Sequence, residues 1–202
     1  MEVFLLSIIT ALLVVYGFKA YRLYPSYKHS IFPDLIPSFL EYFYRVTIRK
    51  DASTSSFLKS KIGTHRMTFT TLQNNDHKIT SRFVILLYNK GIALISCLDP
   101  KGTVSGQTND KHWFIRRENQ TVKIANPKIE SDKYAILVKK KYPDLPLTQY
   151  VAVGNDSDIS KVKCDFIVCH NNEMIRHLLE ASTPYVEDEK IIETFNNANK
   201  NA

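Results

Sequence analysis

Cysteine, glycine and clustered ligand residues are all scarce in this chain of 202 residues, and each scarcity excludes something. The three cysteines, Cys97, Cys164 and Cys169, are an odd number, and two of them sit in apolar, strand-like runs. That argues against a disulfide framework and for buried free thiols in a reducing compartment. Cys164, Cys169 and His170 do not read as a zinc site, because the two cysteines have opposite parity along one strand and no second ligand pair exists. The six glycines never gather into a phosphate-cradling loop. His65, His77, His112, His170 and His177 are scattered without paired acids at ligand spacing and read as core or solvated histidines. No metal, no cofactor and no small-molecule substrate is therefore expected.

Charge is missing from Val3 to Phe18, VFLLSIITALLVVYGF, and Lys19 and Arg22 follow at once. At about 1.5 Å of rise per residue, a run of about 16 to 18 residues including Met1 spans about 24 to 27 Å, enough to cross a bilayer core with little tilt. A cleaved signal peptide fits poorly. It would carry positive charge before the apolar run, where only Glu2 stands, and a small-x-small cleavage site after it, where Lys19-Ala-Tyr-Arg-Leu-Tyr-Pro25 follows. Residues 1–19 are read as a single transmembrane anchor. Lys19, Arg22 and Lys28 on its C-terminal side predict an N-terminus outside and the rest of the chain in the cytoplasm. The triplets Asn119-Gln-Thr121 and Asn155-Asp-Ser157 have the form of glycosylation acceptors and matter only in the opposite orientation.

Residues 20–56 form an aromatic juxtamembrane neck and linker with Pro25, Pro33 and Pro37. Pro37 suits the first turn of a helix running to about Val46, whose rings either lie at the lipid headgroup level or pack on the following domain. Asp51–Ser56 reads as a linker or helix cap. From Thr64 the period changes to that of strands: Arg66–Leu72, a turn at Gln73–His77, Ile79–Tyr88, a turn at Asn89–Gly91, and Ile92–Leu98. A short amphipathic piece at Thr103–Gly106 precedes a hairpin of Trp113–Arg117 and Gln120–Ile124 turning at Glu118-Asn119. Asn126-Pro127 opens a helix from Lys128 in which Tyr134, Leu137 and Val138 share one face. Val151–Val153 and Phe166–Cys169 are short strands, and Asn171 or Asn172 caps a helix over Glu173–Ala181. Residues 183–202 are read as a last helix, Glu187–Phe195, and a disordered Asn-rich tail. The pattern predicts an α/β fold, a mixed sheet flanked by helices and preceded by one transmembrane helix.

Gly91-Ile-Ala-Leu-Ile-Ser-Cys-Leu-Asp-Pro-Lys-Gly102-Thr-Val-Ser-Gly106, then Asp110-Lys-His-Trp113, then Asn126-Pro127 before a helix, resembles the nuclease-related domain, a branch of the restriction-endonuclease-like fold. The likeness covers about residues 57–182 and rests on the order and spacing of elements. In that family a strand turns at Gly-Ile, the next strand carries Glu-x-Lys, and a Gly-x-x-x-Gly segment, a Trp hairpin and an Asn-Pro helix follow. The resemblance implies a restriction-endonuclease-like core in which an Asp and a Glu on adjacent strands hold a divalent metal and a Lys activates water. Here those positions fall on Phe83, Ser96 and Leu98, none of which can do that work. The family's further Glu before the first strand is also missing, since no acidic residue stands between Ala52 and Asn75. A migrated site at Asp99-Pro100-Lys101, with Asp76 as second carboxylate, is opposed by strand parity and by Pro100.

The expected function is a membrane-anchored, catalytically degenerate nuclease-related domain that binds nucleic acid or a DNA-handling protein. A formal charge of +7 and a pI of about 9.2 favour a polyanion. Lys111, Trp113, Arg116, Arg117 and Lys123 are the candidate contacts, with Trp113 and Phe114 as stacking rings. Anionic lipid would draw the same charge. The alternatives are a protein-interaction module of a membrane complex without nucleic acid, or a weak metal-dependent nuclease using Asp99 and Lys101.

Overall fold

β2 (Ile79–Tyr88) and β3 (Gly91–Leu98) read as near-continuous apolar runs, the signature of strands covered on both faces, and the computed structural model puts them inside a five-stranded sheet. The structure describes residues 2–73, 79–99, 101–118 and 120–200; the turn expected before Ile79, with Asp76 and His77, and also Pro100 and Asn119, lie outside them. β1 (Arg66–Gln73), β2 and β3 form an antiparallel meander. β7 (Leu147–Val153) then runs parallel to β3, and β9 (Ile167–His170) parallel to β7. The fold is α/β with mixed sheets, as expected.

Helix α1 (Glu2–Lys28) carries the whole apolar run and continues well past residue 19. Over Phe4–Lys28 it is long and apolar enough to cross a membrane, and its most apolar stretch is not buried against the rest of the chain. Its C-terminal end is held by the Tyr27 hydroxyl, which donates to the Ile36 and Pro37 carbonyls at 2.9 and 2.8 Å. The neck follows as α2 (Phe32–Leu35) and α3 (Phe39–Phe43), with one π-helical turn at Tyr44–Arg49. Ser38, not Pro37, opens α3, because its extended backbone and free hydroxyl let it accept from the Glu41 amide at 3.3 Å.

Tyr27, Leu35, Ile36 and Tyr42 of the neck pack on one face of the sheet, against Val84, Leu86, Ile95 and Tyr150, together with α4 (Ser56–Ile62) and α6 (Met174–Glu180). The neck and the sheet therefore share one core. Buried Ser55 joins them: its hydroxyl donates to the Leu35 carbonyl (2.7 Å), its amide donates to His65 Nε2 (3.0 Å), and it caps α4. The opposite face carries Phe83, Ile85, Leu87 and Leu94 against α5 (Pro127–Lys141) and α7 (Asp188–Lys200).

A second, four-stranded sheet covers the remaining end of that face. Its order is β6 (Gln120–Ala125), β5 (His112–Arg117), β4 (Gly102–Gln107), β8 (Ser157–Lys163). Val104 and Trp113 on its inner side meet Val151 and Val153 of the first sheet.

Four expectations are corrected. β8 was not expected, because a register shift opposite Thr103 and Ser105 breaks its alternation. On α5 the buried line is Ser131, Ala135 and Val138, so Leu137, about 100° further round the helix axis, is exposed. α6 follows a 3-10 turn at Asn171–Glu173 and is entered through His170, whose amide donates to Glu173 Oε2 at 3.2 Å. The Asn-rich end stays helical to Lys200, because Ile191, Phe195 and Ala198 fall on one line against the core.

Candidate functional site

The positions where the resemblance would require a metal site are well packed. Phe83 and Ser96 pair directly across the β2–β3 ladder, and both are buried; the Phe83 ring stacks on Tyr134 of α5, centroids 4.9 Å apart and planes 19° apart. Leu98, two residues beyond Ser96 on the same face, packs beside Val153 and Val151 of β7. Among the described residues no Asp or Glu is buried, and Asp99 is exposed in a cleft that Phe83 and Leu98 also line, so the packed cluster itself offers nothing to a hard cation.

Asp99 and Lys101 are not brought together as one site. Asp99 is exposed at the end of β3 and lines a cleft of about 660 Å³ formed where Pro25, His29 and Phe32 of the neck cross Phe69, Arg82 and Cys97. Lys101 lines a separate depression with Arg117, Glu118 and Gln120, and its carbonyl accepts from Arg117 Nε at 3.3 Å. Burial pushes the Cys97 thiol in this cleft up to about 12, so it is not activated as a nucleophile. Cys169 belongs to the neck-side core and Cys164 to the cluster between the sheets, so the pair does not converge on His170. Among the described residues no three His, Cys, Asp or Glu side chains gather as a metal site. Asn155 is engaged as well: its carboxamide donates to Asp34 at 3.3 Å and accepts from the Asn172 amide at 3.0 Å.

The motif residues of the hairpin have structural work. Gly102 has φ +122°, and a Cβ there would lie 2.3 Å from the Arg116 carbonyl oxygen. A Cβ on Gly106 would lie 2.3 Å from the Trp113 ring, so the glycine makes room for the indole. Asn126, fully buried, caps α5 through Oδ1, which accepts from the Lys128 amide at 2.9 Å, while its Nδ2 donates to the Thr108 and Asp110 carbonyls at 3.0 and 2.7 Å. That side chain pins the start of α5 to the turn that leads into β5.

Trp113 is corrected as a nucleic-acid contact. It is 0 % exposed, lies stacked on Phe166 at 6.2 Å, and donates from Nε1 to the Gln107 carbonyl at 3.1 Å. A ring so enclosed cannot take a base. Strand alternation puts its neighbour on the other face: Phe114 is 44 % exposed.

The outer face of the second sheet is exposed and basic. Phe114 lies opposite Lys123 of β6 and Ser105 of β4, and Ser105 lies beside Lys161 of β8. Arg116 is two residues from Phe114 on β5, and Lys163 two from Lys161 on β8, so both share the face. The result is one aromatic ring among Arg116, Lys123, Lys161 and Lys163. Asp158 stands at its margin beside Thr103, its carboxylate held below the usual range by the Ser160 amide, which donates to it at 2.9 Å. Lys111 is exposed just before β5. Arg117, one residue from Arg116, points to the other side and lies at the Lys101 depression. Phe114 was legible from alternation once Trp113 was placed inside; Lys161 and Lys163 were hidden with β8.

Searches with this chain against protein families, curated proteins and solved structures return no match.

Proposed function

We propose that the chain is a membrane-anchored, catalytically degenerate nuclease-related domain with a restriction-endonuclease-like core, and that it binds nucleic acid through the outer face of its second sheet. The order of elements supports the first part: helix α4, strands β1 and β2, the turn at Asn89-Lys90, β3, the Gly102 to Gly106 strand, the Trp hairpin, the Asn-Pro helix, strands β7 and β9 and helix α6 follow the family's pattern, with β8 standing between the last two strands. Phe83, Ser96 and Leu98, packed as core, support loss of metal chemistry. The observation that carries the binding is Phe114, exposed on one sheet face with Lys123 directly opposite and Arg116, Lys161 and Lys163 on the same face. Such a surface tracks a phosphate backbone with its cations and stacks a base on its ring, without reading sequence. Lys19, Arg22 and Lys28 after the apolar run favour a cytoplasmic domain and an outside N-terminus, testable by protease protection in sealed vesicles.

The test uses the full chain in discs of zwitterionic lipid, so that anionic lipid does not compete. Labelled single- and double-stranded oligonucleotides should bind weakly, with little sequence preference and steep salt dependence. Arg116→Ala and Lys123→Ala should each lower the magnitude of the salt slope by about 0.7 to 0.9, and Phe114→Ala should remove about 1 to 3 kcal/mol of single-strand binding. No retention at about 50 mM salt, where phosphate contacts are strongest, overturns the reading and leaves a protein-interaction module in its place. Magnesium-dependent cleavage lost in Asp99→Ala overturns the degenerate-site part.

A further inference from the structure

The neck climbs back along the helix that precedes it. Phe39 at the start of α3 meets Tyr24 and Tyr27 near the end of α1, at 5.1 and 5.2 Å between ring centroids. Phe43 at its other end meets Tyr16 edge-on, at 6.3 Å and 88°. Eleven residues of helix separate Tyr16 from Tyr27, about 16 Å of rise at 1.5 Å each, and α3 and the contacts around it cover that distance in the reverse direction. Tyr16 belongs to the apolar run Val3–Phe18. Whatever apolar medium surrounds the C-terminal part of that run must also reach Phe43.

One side of this segment belongs to the domain core, through Tyr42, Phe39 and Val46. The other is apolar and bare: Leu40 is 77 % exposed, Tyr44 48 % and Ile48 52 %. These are spaced four residues apart, one residue per turn on a single stripe, and the wide π-helical turn at Tyr44–Arg49 keeps Tyr44 and Ile48 on it. Cations stand next to both segments in the chain, Lys19 and Arg22 after the apolar run and Arg49 and Lys50 after Ile48. Lys19 and Arg22 lie over the Tyr16 and Phe18 rings at 5.4 and 5.2 Å, cation–π contacts at the C-terminal edge of the apolar run. Arg49 and Lys50 are exposed where the π turn ends. Arg45 is excluded from this count, because Glu41 holds it at 2.8 Å.

We infer that α3 and the π turn form a second, non-spanning membrane contact: Leu40, Tyr44 and Ile48 enter the boundary between headgroups and acyl chains beside α1, and Lys19, Arg22, Arg49 and Lys50 meet anionic phosphate groups there. The occupant of the bare stripe is the bilayer itself, by continuity with the span through the Phe43–Tyr16 contact. Apolar faces of this kind sink about 5 to 10 Å into the boundary. Because the buried side of the same segment is domain core, the sheets are held at a set angle to the membrane instead of swinging on a tether. This inference needs α1 in the membrane and is independent of nucleic-acid binding.

The test uses the full chain in vesicles of phosphatidylcholine and phosphatidylglycerol, with and without bromine on the upper acyl chain. Trp113 is the one native tryptophan and is core, so it supplies a constant background. Leu40→Trp, Tyr44→Trp and Ile48→Trp, made singly at exposed positions, should each lose most of their added emission to brominated lipid and little to aqueous iodide. Ile136→Trp, exposed on α5, should do the reverse, and Leu12→Trp marks the span. If Leu12→Trp is quenched by lipid while the three neck variants behave like Ile136→Trp, the second contact is wrong although the anchor stands. If Leu12→Trp also escapes lipid quenching, the anchor and the second contact fall together. In pure phosphatidylcholine the quenching of the neck variants should weaken; unchanged quenching overturns the anionic part.

Discussion

The two sheets of this protein are built on opposite terms. The five-stranded sheet is covered on both faces, by the neck, α4 and α6 on one side and by α5, α7 and the second sheet on the other. The four-stranded sheet is covered on its inner face alone, and its outer face shows Phe114 among cations. A sheet covered on both faces gains stability from most of its strand residues, at about 1.5 to 3 kcal/mol for each large apolar side chain buried, and opens side chains to a ligand only at the cleft beneath the neck, beside Phe69, Arg82 and Cys97. A half-covered sheet gives up that stabilisation on one face and keeps the surface. The metal and lysine positions implied by the resemblance fall in the closed sheet, whereas the exposed cations fall in the open one.

That contrast is broken most severely by placing charge inside the closed sheet. Phe83→Asp removes the ring stacked on Tyr134 and strands a carboxylate with no cation beside it, and should cost more than about 4 kcal/mol, read as loss of the folded fraction in a denaturant titration. Survival of this variant with a near-native midpoint would mean that the closed sheet is open to water at Phe83. The next effect compares neighbours on β5. Trp113→Ala should cost about 3 to 5 kcal/mol, while Phe114→Ala should stay within about 0.5 kcal/mol in the same thermal melt, because one ring is core and the other is surface. Equal losses would contradict the assignment of the two faces.

The smallest effect sharpens the comparison at the seam between neck and closed sheet. Burial lowers the pKa of His65, and its Nε2 accepts the Ser55 amide while Nδ1 faces the Gly63 carbonyl at 3.0 Å, which fixes the neutral tautomer. The unfolded chain binds a proton near the ordinary value of about 6.5, before the folded one does. The stabilisation from neutral His65 is thus fully present above that value and is lost as pH falls from there through the lower folded pKa. Melting temperature should decline in that window and decline less in His65→Gln; parallel declines would remove His65 as the cause.

Much of the closed sheet was legible in the sequence. β2 and β3 were read almost to the residue, because an apolar run between turn residues is a local signal, and the same holds for the β5–β6 hairpin and the Asn126-Pro127 start of α5. The open sheet was not legible as a sheet. β4 and β8 pair in parallel across a long stretch of chain, and β8 carries its apolar residues, Ile159 and Val162, out of step with a strand's period. The candidate surface suffered accordingly: Lys123, Arg116 and Phe114 are legible in the sequence, Lys161 and Lys163 are not, and Trp113, expected to stack beside Phe114, is core.

What the sequence determined by itself was local: an uncharged run long enough to cross a membrane, the strands β1–β3, the Trp hairpin, and no carboxylate where the resemblance would have metal ligands. Each follows from side-chain type and period over neighbouring residues, which need no distant partner. The tertiary structure alone decided that the neck belongs to the core, that Asp99 and Lys101 part company, that Arg116 and Arg117 face opposite ways, and that α3 turns back along α1. Those outcomes depend on which surfaces meet across long separations in the chain. Burial is a property of the assembled packing: Trp113 and Phe114 differ little as residues, and only the sheet beneath Trp113 made one of them core and the other surface.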